Sequence, residues 1–208
     1  MTERKLTLEW VIESTRCPDW PDERVERFAR VTHFAHQNEA GVTPLELMRL
    51  AELAPERLPQ GDVIWLLLQP GALSTAQLHA IAWDMCRRAM LFARAALRLE
   101  RKELFDAATF EQVRAAGGNA TAMLTSFERA YRTEARAWYT SPNQWILFRT
   151  SRVLGLAAGC LHSEDTVDVA LKVYAASGVM YRLKEARGEK LAQFAFMLWL
   201  LEHPEIAG

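Results

Sequence analysis

Three groups of side chains in this sequence have the types and spacing to do chemistry. His33 and His36 stand three residues apart, which puts both imidazoles on one face of a helix. Such a pair can share a metal ion, but a site needs at least one further ligand and hydrogen-bonded support behind it. Cys17 is the nearest thiol, and the two histidines read equally as surface or half-buried side chains. No metal ligand is assigned on this spacing, and the protein is expected to hold no metal and no other cofactor. Glu134 falls near the apolar side of its helix, between Phe127 and Trp138. A buried carboxylate there would have a raised pKa and could serve as an acid or base. An edge carboxylate paired with an arginine from a neighbouring helix fits the same position and is the reading adopted. No residue is given a catalytic role.

The third group is cationic. Trp83, Arg87, Met90, Arg94 and Arg98 share the side of one helix opposite its apolar face. Tryptophan, methionine and arginine are the residues enriched at protein interfaces, so these five are the expected partner-binding residues. A helix packed on two sides explains the same pattern, because Trp83, Met90 and Leu97 recur every seven residues. A second stripe, Arg129, Arg132 and Arg136 with Thr125 and Thr133, is purely polar and reads as a solvated face. Longer signatures are missing from the sequence: G-x-G-x-x-G, the Walker loop, G-x-S-x-G, H-E-x-x-H, C-x-x-C and the Glu-x-x-His of carboxylate-bridged di-iron bundles. Their absence weighs against an enzyme, although active sites need not be local in sequence.

The elements that must position these residues read as helices. Leu6 to Thr15 is amphipathic, with Leu8, Val11 and Ile12 inward. Pro21 suits the first turn of a helix reaching about Gln37. Thr43-Pro44-Leu45-Glu46 combines a capping threonine, a proline at the first helical position and the glutamate of a capping box, and the helix it opens ends before Pro55. Asp62 could cap a short helix through Leu68, but Val63–Leu68 is apolar throughout and fits a buried strand as well. Pro70-Gly71 forces a turn. Ser74 and Gln77 form a second box opening the longest helix, to about Leu99, whose apolar face runs Leu78, Ile81, Ala82, Met85, Ala89, Phe92, Ala93, Ala96. Further helices are expected at about 106–116, 119–139, 141–160 and from His162 onward, and a last one from Glu189 to Glu202 with a break near Gly188. Gln144–Thr150 is a second apolar run that could be a strand. Ser151, Gly155 and Gly159 give the small-x-x-x-small spacing that lets helices approach closely.

The order Ile64-Trp65-Leu66-Leu67-Leu68-Gln69-Pro70, Leu73-Ser74-x-x-Gln77-Leu78, Ala82-x-Asp84-x-Cys86 and Arg88-Ala89 resembles bacterial all-α immunity proteins associated with polymorphic toxin systems. In that family a Trp-containing W-x-L-L-x-P segment precedes a helix of the form A-x-x-C-A-x-x-A-L. The similarity covers residues 58 to 100. Arg87 stands where alanine is more usual after the cysteine, the later helices lack the family's dense alanine repeats, and residues 1–57 match nothing in it. The resemblance implies an all-α protein that binds and neutralises a toxin. It carries no catalytic residues with it.

Composition sets the outer bounds. At 208 residues, half of them hydrophobic and a quarter charged, the chain suits one globular domain. The expectation is an all-α, single-domain bundle of roughly eight helices over residues 1–208, with 1–57 open to being an N-terminal helical subdomain packed on 58–208. Twenty-five basic against 26 acidic residues argue against nucleic acid as the partner. No apolar leader follows Met1, and the longest apolar run, Phe194–Leu201, is far short of the ~20 residues that span a bilayer. Three scattered cysteines favour reduced thiols. A cytoplasmic protein without a membrane partner is therefore expected. Phe194–Leu201 raises a further question. Leu191, Phe194, Ala195, Leu198 and Leu201 suffice for one core face, leaving Phe196, Trp199 and Leu200 on the other side. They are enclosed either by the rest of the domain or by a second copy in a two-fold homodimer. Two functions remain in view: a non-enzymatic interaction module with a protein partner, an immunity-type toxin neutraliser among them, or a helical enzyme or small-ligand binder with a site between helices.

Overall fold

The computed structural model describes residues 5–15, 41–97, 120–137, 144–183 and 186–207. Of these, 84% are helical; eight α-helices and no strand occur among them, so the protein is an all-α multi-helix bundle. The helices expected at 21–37 and 106–116, together with His33, His36 and Cys17, lie outside the described residues. The chain divides into two compact units, residues 1–74 with 190–208, and residues 75–189. The C-terminal segment groups with the N-terminal unit.

In the first unit, Leu6 and Val42 form an isolated antiparallel bridge, Leu6 N to Val42 O at 2.8 Å and Val42 N to Leu6 O at 3.0 Å. Helix α1 (Leu8–Thr15) follows, with Val11 buried and Ile12 40% exposed rather than inward. Helix α2 (Pro44–Leu53) opens with the expected capping box. The Glu46 N–H donates to Thr43 Oγ1 at 3.2 Å, and the Thr43 N–H donates to the Glu46 carboxylate at 2.8 Å. Helix α3 (Gln60–Leu67) settles the ambiguity over Val63–Leu68. It follows Pro59, which offers no side-chain cap, and Asp62 stands inside the first turn rather than at the cap. Val63, Ile64, Leu66 and Leu67 are all buried, and a helix enclosed on most sides shows no periodicity. Both α1 and α2 pack on α3. Gly71 supplies the positive φ (91°) of the turn that follows.

Gly41 makes the Leu6–Val42 bridge available. Its φ is +76°, and a Cβ there would lie 2.7 Å from the Leu6 carbonyl oxygen. Gly41→Ala is therefore expected to cost roughly 1–3 kcal/mol in equilibrium unfolding, because left-handed strain and a backbone collision fall on the same residue. A loss under a few tenths of a kcal/mol would mean the bridge yields freely.

In the second unit, helices α4 (Thr75–Leu97), α5 (Ala120–Ala137), α6 (Gln144–His162) and α7 (Thr166–Leu183) pack around α6, which touches the other three, while α4 also packs on α7. The apolar run Gln144–Thr150 is the start of α6, not a strand. Its small residues have a specific use. A Cβ on Gly155 would meet Glu128 Cγ of α5 at 3.4 Å, and one on Gly159 would meet Lys172 Cε of α7 at 3.1 Å. The glycines let two long side chains lie across the helix surface. Helix α7 begins where Asp165 Oδ1 accepts the Val167 N–H at 2.9 Å.

The last helix, α8 (Ala186–Glu202), starts before Gly188 and runs through it. Ala186–Glu189 belong to the second unit and Lys190–Glu202 to the first. Its inner face differs from the one read in the sequence. Phe194 and Leu198 are buried as expected, but so are Gln193, Met197 and Leu200, while Leu191 (51%) and Ala195 are exposed. A stretch apolar on every side gives no contrast from which to orient the helix, and the buried glutamine masks the rest. The Arg49 guanidinium of α2 bonds Glu202 near the end of α8. Residues Pro204–Ala207 form a closing 3-10 turn. Among the described residues no helix is long and apolar enough to cross a membrane.

Candidate functional site

Helix α4 carries the side chains the sequence singled out. Leu78, Ile81, Ala82, Met85, Ala89 and Ala93 are buried, as its amphipathic pattern requires, and Phe92 is half-buried. The opposite side is more divided than the cationic stripe implied. Met90 is 3% exposed and belongs to the core, and Trp83 is half-buried. Both follow from packing α4 on more than one side: against α6 and against α7. Arg87 and Arg94 are exposed, with Leu91 (38%) between them at i, i+4, i+7. Arg98 lies outside the described residues. Of the four expected residues that are described, Arg87 and Arg94 are exposed, and Leu91 is exposed between them. At 100° per residue Leu91 lies on the outward side with Arg87, opposite the apolar face, and the sequence reading of that side passed over it.

Beneath this edge is a charged network that the sequence reading also missed. Asp84 is buried on α4. Its carboxylate accepts from Arg88 Nε at 2.6 Å and from Arg87 Nη2 at 3.2 Å. The other arm of Arg88 donates to Glu189, wholly buried in the first turn of α8. Two carboxylates and two guanidiniums balance, which is how buried ions are tolerated. A glutamate in the first turn also meets the positive end of its own helix. The signal was present in part: Asp84, Arg87 and Arg88 have the i+3 and i+4 spacing of helical ion pairs, and Asp84 is flanked by apolar residues. Tyr181 of α7 hydrogen-bonds with Ser177 and feels Glu189 and Arg88; burial pushes its phenol above the ordinary range.

The neighbouring titratable groups are held neutral. Cys86 and Cys160 are free and buried. Burial pushes the Cys86 thiol well up, helped by Cys160 and Asp84. Cys160 is pushed up to about 12, again by burial, with Lys172 opposing and Asp168 adding to it. His79 Nε2 lies 3.1 Å from the Cys160 carbonyl, to which it must be the donor. Burial lowers its pKa, and that bond partly offsets the fall. Thiols kept protonated in apolar surroundings are poor nucleophiles.

Comparison with known protein families, curated proteins and solved structures finds no match for this chain.

The remaining sequence-selected residues fall elsewhere. Glu134 is half-buried on α5; the buried carboxylate of that helix is Glu128, six residues earlier, which pairs with Arg132. Arg129, Arg132 and Arg136 are exposed. The hydroxyls of Thr125 and Thr133 donate back to the carbonyls of Thr121 and Arg129, a solvated face as read. On α8, Phe196 is half-buried and Trp199 is 41% exposed, its ring 5.8 Å from Phe196 and 5.3 Å from His203. Leu200 is 1% exposed and belongs to the interior of its own chain, so the outward trio of Phe196, Trp199 and Leu200 does not form.

Proposed function

We propose that the protein is a non-enzymatic interaction module that docks a protein partner along the Arg87–Leu91–Arg94 edge of α4. One observation carries this reading. The edge pairs two exposed guanidiniums with an exposed leucine, and the buried Asp84 holds Arg87 in place before any partner arrives. A side chain already ordered loses less entropy on binding. The chemistry suits a partner that presents carboxylates around an apolar centre. The likeness of residues 58–100 to immunity proteins of polymorphic toxin systems supports a toxin as that partner, with neutralisation as the outcome.

The test uses the whole chain as bait in native lysate. A stoichiometric partner is expected with the natural sequence, and its capture should fall at least about tenfold with Arg94→Glu, as charge reversal against an acidic surface requires. The melting temperature should move by less than about 2 °C, because surface substitutions rarely exceed half a kcal/mol. Undiminished capture would place the partner elsewhere. A secreted toxin recovered on the bait would take the reading from interaction module to immunity protein.

A further inference from the structure

Among the described residues, helix α7 leaves one apolar face exposed. Val169, Ala170, Val173, Ala176, Met180 and Leu183 fill its inner side. On the outer side Val167 (50% exposed), Leu171 (54%) and Tyr174 (41%) follow one another at i, i+4 and i+7. Gly178 continues the line one turn on; it is exposed, and a Cβ there would meet nothing within 4 Å. Glu164 precedes the stripe and Arg182 ends it, both exposed. At 100° per residue, Arg182 falls within the same arc of the helix as Leu171 and Gly178. Three large apolar side chains in one stripe mark an interaction surface more strongly than isolated ones do.

The occupant that this stripe fits is itself. We propose that α7 pairs with α7 of a second copy, antiparallel, about a two-fold axis between Leu171 and Tyr174. In an isologous contact residue i meets residue j and j meets i. That register sets Val167 against the open surface at Gly178, twice, a branched side chain into the gap of a missing one. It sets Leu171 against Tyr174, and brings Glu164 of each copy to Arg182 of the other. A parallel pairing would instead bring like charges together at both ends. Antiparallel helices also place opposite dipole ends side by side. The proposal does not depend on the α4 edge or on any toxin partner. It moves self-association away from α8, where Leu200 is internal. One helical stripe covers less than the ~800 Å² per partner of tight complexes, so a dissociation constant in the micromolar range is expected.

Sedimentation of the full chain from about 1 to about 200 μM reads this directly. The natural sequence should pass from monomer to dimer across that range. Leu171→Asp should weaken the dimer by at least about tenfold, the scale of a central interface residue. Gly178→Phe is the stricter test. A Cβ at Gly178 meets nothing within 4 Å, so the monomer should melt as before, yet the ring would strike Val167 of the other copy and abolish pairing. Glu164→Arg and Arg182→Glu should each weaken the dimer, and the double exchange should restore it. A monomer throughout, a dimer that tolerates both Leu171→Asp and Gly178→Phe, or a double exchange no better than its single parts would overturn the proposal.

Discussion

Replacing Arg88 by leucine is expected to destabilise the protein by roughly 3–5 kcal/mol, the cost of removing one partner from a buried ion network. The physical reason lies in what stays behind. Asp84 retains the half-exposed Arg87, and Glu189, with no exposed surface, loses the guanidinium that bonds it from α4. A carboxylate this deeply buried that loses one of its charged partners is held at a higher cost in free energy. Arg88→Lys should fall between, because an ammonium cannot present two separate donors to two carboxylates in a fixed fork. A double-mutant cycle separates the pair from the packing: Glu189→Leu in the Arg88→Leu background should recover part of the loss, since it removes the carboxylate that Arg88 balances. Urea unfolding of the four proteins supplies the measurement. Additive losses would show that the two residues act independently and that Glu189 does not rely on Arg88.

That network also marks where sequence reading stops. The Thr43–Glu46 box was legible because both partners lie within four residues and the geometry is local. The inner face of α4 was legible because polar and apolar residues alternate with helical period along it. Asp84 could have been found with Arg87 and Arg88, but nothing local points to Glu189, 101 residues beyond Arg88. The element type of α3 and the buried face of α8 were hidden for the opposite reason. Val63–Leu68 and Phe194–Leu201 are apolar on every side, so period carries no information about which side is covered. Gly188 was misleading in another way: a glycine weakens a helix by about 1 kcal/mol but does not end one, and α8 runs through it. Met90 shows the limit of a stripe as evidence. Trp83, Arg87, Met90 and Arg94 follow one another at helical spacing, yet the second packed side of α4 takes Met90 and leaves the arginines.

Alkaline lability is the other large effect. Four acids of the second unit are held protonated by burial: Cys86, Cys160, Tyr131 and Tyr181. Each has a folded pKa above its ordinary value, so the folded chain keeps protons that the unfolded chain releases. Stability is then complete below the unfolded pKa and falls as pH rises through it. For the thiols that point is 9.0 and for the phenols 10.0. With Cys160 near 12 and Cys86 higher still, both thiols stay protonated in the folded chain well past pH 10. Each contributes a slope approaching ~1.4 kcal/mol per pH unit, so the pair removes roughly 4–5 kcal/mol between about pH 9 and pH 11. Set against a total of about 5–15 kcal/mol for an ordinary domain, this suffices to bring the second unit close to unfolding before the tyrosines add their share. The measurement is urea unfolding under reducing conditions across that range, for the natural sequence and for Cys86→Ala/Cys160→Ala. The double substitution lowers stability at neutral pH by leaving small cavities, so the slope is the quantity to compare. It should flatten by up to roughly 3 kcal/mol per pH unit, leaving the phenolic fall above pH 10. An unchanged slope would mean that the thiols ionise as readily in the folded protein as in the unfolded chain, which their burial among α4, α6 and α7 does not permit.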